Sequence, residues 1–293
     1  MIKIVTDSTC DLPPTWFNRY NITIVPVNIQ FGLETYHEGV TIDRESFYHR
    51  IQTEGVIPTT SQPSVGEFTE IFEALAADGS EVLAIHLTSK LSGTWQTARL
   101  AASQLQDKLK VHVVDSMTGS VGLGLLVREA AQMVGAGFSL AEVMSCLETR
   151  RSQINIFIML KDLRYARLSG RVGRLRETLV SLLNVKPIVG VADGLLIPLD
   201  RVRGHKKGLE RMLALAEERV GDAPIHLGVA HALDPAEAET LLAEAQTRLN
   251  CQETFITDLA LSLAVHFGPG TVGFATYPAE QSYIGGTTHH NQS

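Results

Sequence analysis

The chain has 293 residues, of which 44% are hydrophobic, 6% aromatic and 19% charged, the balance of a globular chain of one large or two medium domains. A net charge of -7 excludes a broadly basic surface for nucleic acid. No apolar run reaches the length of a transmembrane helix, and three scattered cysteines, Cys10, Cys146 and Cys251, make neither a disulfide framework nor a zinc site. Met1 to Asp7 meets an acidic residue at once and does not read as a signal peptide, so a cytoplasmic chain with reduced thiols is expected.

Ile2 to Thr6 reads as a first strand, running into Asp7-Ser8-Thr9-Cys10-Asp11-Leu12-Pro13-Pro14. There Asp11 or Ser8 is expected to cap a helix that opens at the prolines. Ile22 to Ile29 reads as a strand, with Pro26 marking an edge or a bulge. Asp43 caps a short helix through Phe47 and Ile51. Pro58 to Ser64 is a stiff, hydroxyl-rich loop. Ser64 and Glu67 form a capping box for a helix carrying Phe68, Ile71, Phe72 and Leu75.

Val82 to Ile85 is strand-like, and Ala98 to Leu105 helix-like. Between them lies Leu87-Thr88-Ser89-Lys90-Leu91-Ser92-Gly93-Thr94-Trp95-Gln96-Thr97. A strand that feeds a helix through such a loop aims hydroxyls, free N–H groups and the positive helix end at one point, a cradle for a carboxylate or a phosphate. The plainer alternative is that Ser92 or Thr94 only caps the helix. Thr60 also stands just before a helix start, so the two hydroxyl loops can meet at the carboxyl edge of a parallel sheet.

Val111 to Val114 is a strand, followed by Asp115 to Gly124 and an apolar helix. The glycine order is not G-x-G-x-x-G and no Walker lysine follows, so these glycines are expected to serve close helix–sheet packing. Ser139 and Glu142 make a second capping box, on a helix running towards Arg151. The composition shifts near residue 155, after which Ile154 to Met159 is a strand. Lys161, Arg164, Arg167, Arg171, Arg174 and Arg176 follow against Asp162 and Glu177. A second basic group is Arg201, Arg203, Lys206, Lys207 and Arg211. In an acidic chain these clusters read either as a solvated face or as a docking surface for an acidic partner or a polyanion such as ATP phosphate.

Lys186 to Val191 and Leu195 to Leu199 flank Asp193-Gly194, a hairpin signal. A helix from Gly208 to Arg219 and a strand from Ile225 to Ala230 come next. Asp234-Pro235 supplies N-cap and N1 for another helix, and Cys251 to Ile256 is a strand. His266 stands directly before Phe267-Gly268-Pro269-Gly270, on a tightly turned backbone. His289 and His290 belong to a polar tail and read as solvated, not as a metal site.

Taken together, Ile4 to Leu12, Pro58 to Ser64, Leu91-Ser92-Gly93-Thr94, Leu168-Ser169-Gly170-Arg171, Arg201-Val202-Arg203-Gly204 and His266 to Gly270 resemble the DegV family, from Ile4 to about Tyr277. The resemblance implies a two-domain α/β fold. An N-terminal Rossmann-like parallel sheet with flanking helices would span 1–155, a C-terminal α/β domain with a mixed sheet 156–280, and a polar tail 281–293. It further implies a long-chain fatty acid such as palmitate, stearate or oleate between the domains. A separate ATP-dependent kinase subunit would convert its carboxylate to an acyl phosphate for phospholipid synthesis. By the same resemblance Thr60, Ser92 and the N–H of Gly93 hold the carboxylate, and His266 is the head-group histidine. Arg171 and Arg203 serve phosphoryl transfer or partner docking. No cofactor, metal, nucleic acid or stable membrane insertion is implied, and the chain would be a bacterial lipid-binding carrier rather than an enzyme.

Two readings compete with the carrier. One is a fatty-acid-responsive protein without a kinase partner. The other is a serine hydrolase with Ser92 as nucleophile, His266 as base and Asp115 or Asp7 as orienter, although Leu91-Ser92-Gly93 lacks the G-x-S-x-G elbow.

Overall fold

The first strand, β1 (Ile2–Asp7), turns Ile4 and Val5 to opposite faces, and each enters a different core, as the two-residue strand period requires. The computed structural model describes residues 1–161, 163–171 and 185–279. Asp162, Arg174, Arg176, Glu177 and the tail with His289 and His290 lie outside the described residues. After β1 come α1 (Pro14–Arg19), β2 (Ile22–Val25), β3 (Asn28–Phe31), β4 (Glu34–His37), α2 (Arg44–Glu54), β5 (Thr59–Ser61) and α3 (Val65–Ala76). Next are β6 (Glu81–His86), α4 (Thr94–Leu105), β7 (Val111–Asp115), α5 (Ser120–Gly135) and α6 (Leu140–Arg150). Then follow β8 (Asn155–Met159), α7 (Leu163–Ser169), β9 (Val185–Ala192), β10 (Leu195–Arg203), α8 (His205–Val220), β11 (Ile225–His231), α9 (Pro235–Arg248), β12 (Cys251–Asp258), α10 (Leu261–Phe267) and β13 (Val272–Pro278).

The fold is α/β. A parallel sheet has the order β2-β1-β6-β7, and a mixed sheet has the order β10-β9-β8-β13-β11-β12. Helices α3 and α4 pack on the outer face of the parallel sheet over Val5, Val82 and Ala84. Helices α8 and α9 cover the outer face of the mixed sheet over Phe157, Leu227 and Phe274. The inner faces share one core: Ile4, Leu83 and Ile85 from the first sheet meet Ile156, Ala230 and Ala275 from the second. Helix α5 is the middle layer of that core and is buried over most of its length. Its glycines allow the close approach. A Cβ at Gly122 would stand 2.5 Å from Thr118 Oγ1, and one at Gly124 would stand 2.7 Å from the Asp11 carbonyl, as the loop's glycine pattern implied.

Both capping boxes form, at Ser64–Glu67 and Ser139–Glu142, and Asp43 caps α2. The hairpin turns at Asp193-Gly194, both at positive φ, the geometry of a two-residue primed turn. Four expectations are corrected. Pro26 marks an edge, as β2 is the edge strand of the parallel sheet, but it ends that strand instead of lying inside one, and β3 joins a third sheet of order β4-β3-β5. The Pro58 to Ser64 loop contains β5, whose Thr60 pairs with Ile29 of β3. Neither Asp11 nor Ser8 caps α1, which starts at Pro13 without a side-chain bond. Asp234 and Pro235 do stand at the N-cap and first position of α9, but the Asp234 carboxylate makes no cap bond there and lies 3.4 Å from Lys161 Nζ.

Candidate functional site

In the order β2-β1-β6-β7 the chain leaves β1 to one side for β2 and returns on the other for β6, so the direction of winding reverses between β1 and β6. Ligands bind at such a switch point, beyond the carboxyl ends of the strands. The loops there carry Thr9 after β1, and Leu87, Leu91 and Ser92 after β6. Asp7 ties them together: its carboxylate accepts from Leu87 N–H at 3.0 Å and from Thr9. These residues line a pocket completed by Thr60 of β5, Ser169 at the end of α7, Arg171 after it, Leu196 of β10, and Ser262, Leu263, His266 and Phe267 of α10.

Within it, Thr60 Oγ1 and His266 Nε2 are 3.0 Å apart. Strand alternation explains why Thr60 faces the pocket and its neighbours do not. Thr59 turns to the other face of β5, where its hydroxyl donates to Gln30 Oε1 at 3.2 Å. Ser92 is half-buried, 2.8 Å from Thr94 Oγ1, and accepts from Thr94 N–H at 3.3 Å. Gly93 is the residue before α4, and no side chain caps that helix. Its backbone faces a second, outer chamber of about 520 Å³ that shares Thr60, Ser92 and Arg171 with the inner pocket and adds Gln62, Ser89 and Gln96. The hydroxyl residues Thr9, Thr60, Ser92, Ser169 and Ser262, a helix N-terminus and an imidazole thus line one space, the donor set of a carboxylate site.

Burial, with the charge of Arg171 second, pushes the His266 imidazole down to about 4, so the ring is neutral at pH 7. Its Nδ1 is buried without a hydrogen-bond partner among the described residues. Arg171 reaches the pocket mouth because Gly170, at φ 70, ends α7 with a left-handed turn. Its guanidinium donates to Ser169 O at 2.8 Å. Arg203 is exposed at the far end of β10 and lines neither chamber. Seven residues separate it from Leu196, roughly 20 Å along a strand. Arg211, from the same basic group, is engaged internally by Asp200 at 2.6 Å and Glu218 at 2.7 Å.

Phe267 also lines a second, narrow cavity on the inner face of the mixed sheet, walled by Val121, Ile156, Ala230, Gly273 and Ala275 among others, and almost wholly apolar. Strands β8, β13 and β11 run side by side there, and the small residues of β13 and β11 leave the space open beneath α5. A pocket that sets hydroxyls, an imidazole and Arg171 among leucines therefore abuts an almost wholly apolar cavity, with Phe267 lining both. The sequence reasoning missed this cavity, along with Thr9, Ser169 and Ser262 as lining residues. Thr9 was legible as part of a second hydroxyl loop after a strand.

The hydrolase geometry is not assembled. Ser92 bonds Thr94, not His266. Asp7 lies 3.0 Å from His86 Nδ1, and Asp115 accepts from the N–H groups of Ser89 and Met117, so neither expected orienter reaches His266.

The model of the DegV family of uncharacterised proteins matches residues 1–279. A DegV domain-containing protein of Halalkalibacterium halodurans is 34% identical over 278 residues, covering 94% of this chain and 98% of that protein. Among solved structures, a DegV family protein from Thermus thermophilus, described for its fatty acid binding, superposes with a TM-score of 0.88 at 32% identity, covering 94% of this chain and 99% of that one. A stearic acid-binding protein from Eubacterium ventriosum gives a TM-score of 0.89 at 27% identity, covering 97% and 99%. The match runs through both sheets and through every loop that builds the pocket, and on that ground the chain belongs to the DegV family.

Proposed function

We propose that this chain binds a long-chain fatty acid where residues 1–155 meet residues 156–280, and presents its carboxylate to a separate ATP-dependent kinase subunit for acyl-phosphate formation in the cytoplasm. The observation that carries the reading is that the hydroxyls and imidazole of one pocket stand beside an apolar cavity, with Phe267 lining both. Thr60, Ser92, the Gly93 N–H and His266 hold the head group, and the cavity takes the tail. Burying a sixteen-carbon tail contributes on the order of 10 kcal/mol before ordering costs, so the tail supplies affinity and the head supplies orientation. The fatty acid binding described for the Thermus and Eubacterium proteins supports the same reading. Calorimetry of the delipidated protein with palmitate and oleate tests it: saturable binding is expected, and none at all refutes the carrier. A lipid-responsive protein without a kinase partner would bind equally well and differ only in the absence of acyl-phosphate formation.

Hydrogen bonds to a charged group are worth roughly 1.5–3 kcal/mol. Thr60→Val and Ser92→Ala are each expected to weaken palmitate binding about tenfold or more, with unchanged thermal unfolding. Near-wild-type affinity in both would remove them from the head-group site.

Arg171 at the mouth and Arg203 on the edge strand are exposed cations in an acidic chain. Acting on an acidic partner, both would attract its surface, and Arg171, which lines the head-group pocket, would also offset charge on the transferred phosphoryl group. Arg171→Ala and Arg203→Ala are expected to keep palmitate affinity within about twofold yet lose acyl-phosphate formation with the cognate kinase subunit, and docking should weaken as salt rises. Full activity of the double variant in a reconstituted ATP-dependent assay would reduce both to a solvated face.

A further inference from the structure

Helix α10 is short, and it supplies Ser262, Leu263, His266 and Phe267 to the pocket. Seven residues do not hold a helix in place by themselves, because nucleation costs more than so few intrahelical bonds return. The first N–H groups of any helix also need acceptors from outside it. Here both needs are met by two buried carboxylates from the opposite half of the chain. Asp11 Oδ1 accepts from Ala260 N–H at 2.9 Å. Glu38 Oε1 accepts from Leu261 N–H and from Ser262 N–H, the latter at 3.2 Å.

The carboxylates are themselves fixed. Ser120 Oγ donates to Asp11 Oδ2. Ser8 Oγ donates to Glu38 Oε2 at 2.6 Å while accepting from Val27 N–H at 2.9 Å. Arg44 adds a bond to Leu259 O at 3.3 Å, and Thr257 Oγ1 donates to Leu12 O at 3.1 Å. Asp11 is 4% exposed and Glu38 8%. Burial pushes both carboxyls up, and the hydrogen bonds from Ser120 and Ala260 and from Ser8, Ser262 and Leu261 oppose that rise. Ala260, Leu261 and Ser262 are themselves buried, so water does not serve their N–H groups and the two carboxyl groups are the acceptors that hold this helix end in place.

We propose that Asp11 and Glu38 are positioning residues for His266, setting the register and tilt of α10 so that the imidazole meets Thr60 and the ligand carboxylate; this rests on the fatty-acid reading of the pocket. Ser262 and His266 are four residues apart and share one helix face. A shift of the first turn is therefore transmitted directly to the ring. The tail cavity is walled mainly by the mixed sheet and α5 and changes less. Loss of either carboxylate should act on recognition of the head more than on burial of the tail.

The test compares palmitate with hexadecanol, which keeps the tail and lacks the carboxylate, on the full chain carrying Glu38→Leu, Glu38→Gln or Asp11→Ala. Wild type should prefer palmitate. In Glu38→Leu and Asp11→Ala that preference should fall about tenfold. The His266 ring, followed by NMR without ligand, should titrate nearer 6.5 than 4. Glu38→Gln keeps an acceptor at Oε1 and should restore both readouts. Should Glu38→Leu fail to fold, Glu38→Asp, one methylene too short to reach α10, carries the same expectation. An unchanged preference and an unchanged titration in folded variants would overturn the positioning role. Absence of palmitate binding in wild type would instead overturn the fatty-acid reading, so the two failures are distinguishable.

Discussion

Ala275→Leu is expected to remove high-affinity palmitate binding while leaving decanoate binding nearly intact. Ala275 is 1% exposed and lines the apolar cavity with Gly273, its neighbour on the same face of β13. It lies four residues beyond Thr271, which lines the cavity at the Phe267 end, roughly 13 Å further along the strand. A leucine there fills the far part of the cavity. If it excludes the last four methylenes of the tail, the loss is about 3 kcal/mol, a hundredfold or more in affinity. A ten-carbon acid does not reach that far. Cooperative melting of the variant is the control for overpacking at this buried position. Calorimetry across acids of eight to eighteen carbons reads the result as a shift in preferred length. Equal losses at every length, in a variant that still melts cooperatively, would mean that the tail runs elsewhere.

Features set by neighbours in sequence were legible. Ser64–Glu67, Ser139–Glu142 and Asp193-Gly194 place a cap or a turn by residues at most three apart, and all three form. The Ser92–Gly93 loop was legible for a related reason, since a strand, a hydroxyl loop and a helix follow one another directly. Features that depend on distant partners were not. Thr60 faces the pocket because β5 pairs with β3, thirty residues earlier in the chain, and nothing between Pro58 and Ser64 records that pairing. Asp11 looked like a local cap, yet its carboxylate serves Ala260, 249 residues away.

Helix α10 was missed for the same reason: its end is satisfied by Asp11 and Glu38 and not by a residue of its own. The apolar cavity is harder still, because it is a property of what three strands fail to fill. Gly273 and Ala275 on β13 and Ala230 on β11 are unremarkable one at a time. Only the register that sets Ala230 beside Gly273 turns small residues into a void. The resemblance to a family indicated that a tail must be held. It did not indicate which side chains step back to hold it.

The second large effect concerns acid. His266 is held at about 4 in the folded protein, against an ordinary value of 6.5, chiefly because burial disfavours the charged ring and secondarily because Arg171 repels it. On acidification the unfolded chain takes up this proton first. The neutral ring's contribution is fully present above pH 6.5 and is lost progressively as the pH falls towards 4. With 1.36 kcal/mol per unit, the shift from 6.5 to about 4 costs about 3 kcal/mol of stability at the acid end. Other groups titrate in the same window. His226 is also pushed down to about 4 by burial, while Asp11 and Glu38 are pushed up and act in the opposite sense. The informative quantity is therefore the difference between wild type and His266→Gln in denaturant unfolding at pH 7, 5.5 and 4. That difference should change by about 3 kcal/mol across the range, with the wild type losing more. Bound palmitate should reverse part of the effect, because a carboxylate beside the ring favours the imidazolium. Near pH 5.5 binding should then take up protons, visible as a dependence of the calorimetric heat on the buffer's ionisation enthalpy. A His266 titration that is the same with and without palmitate would place the carboxylate away from this ring and move head-group recognition to the hydroxyl loops alone.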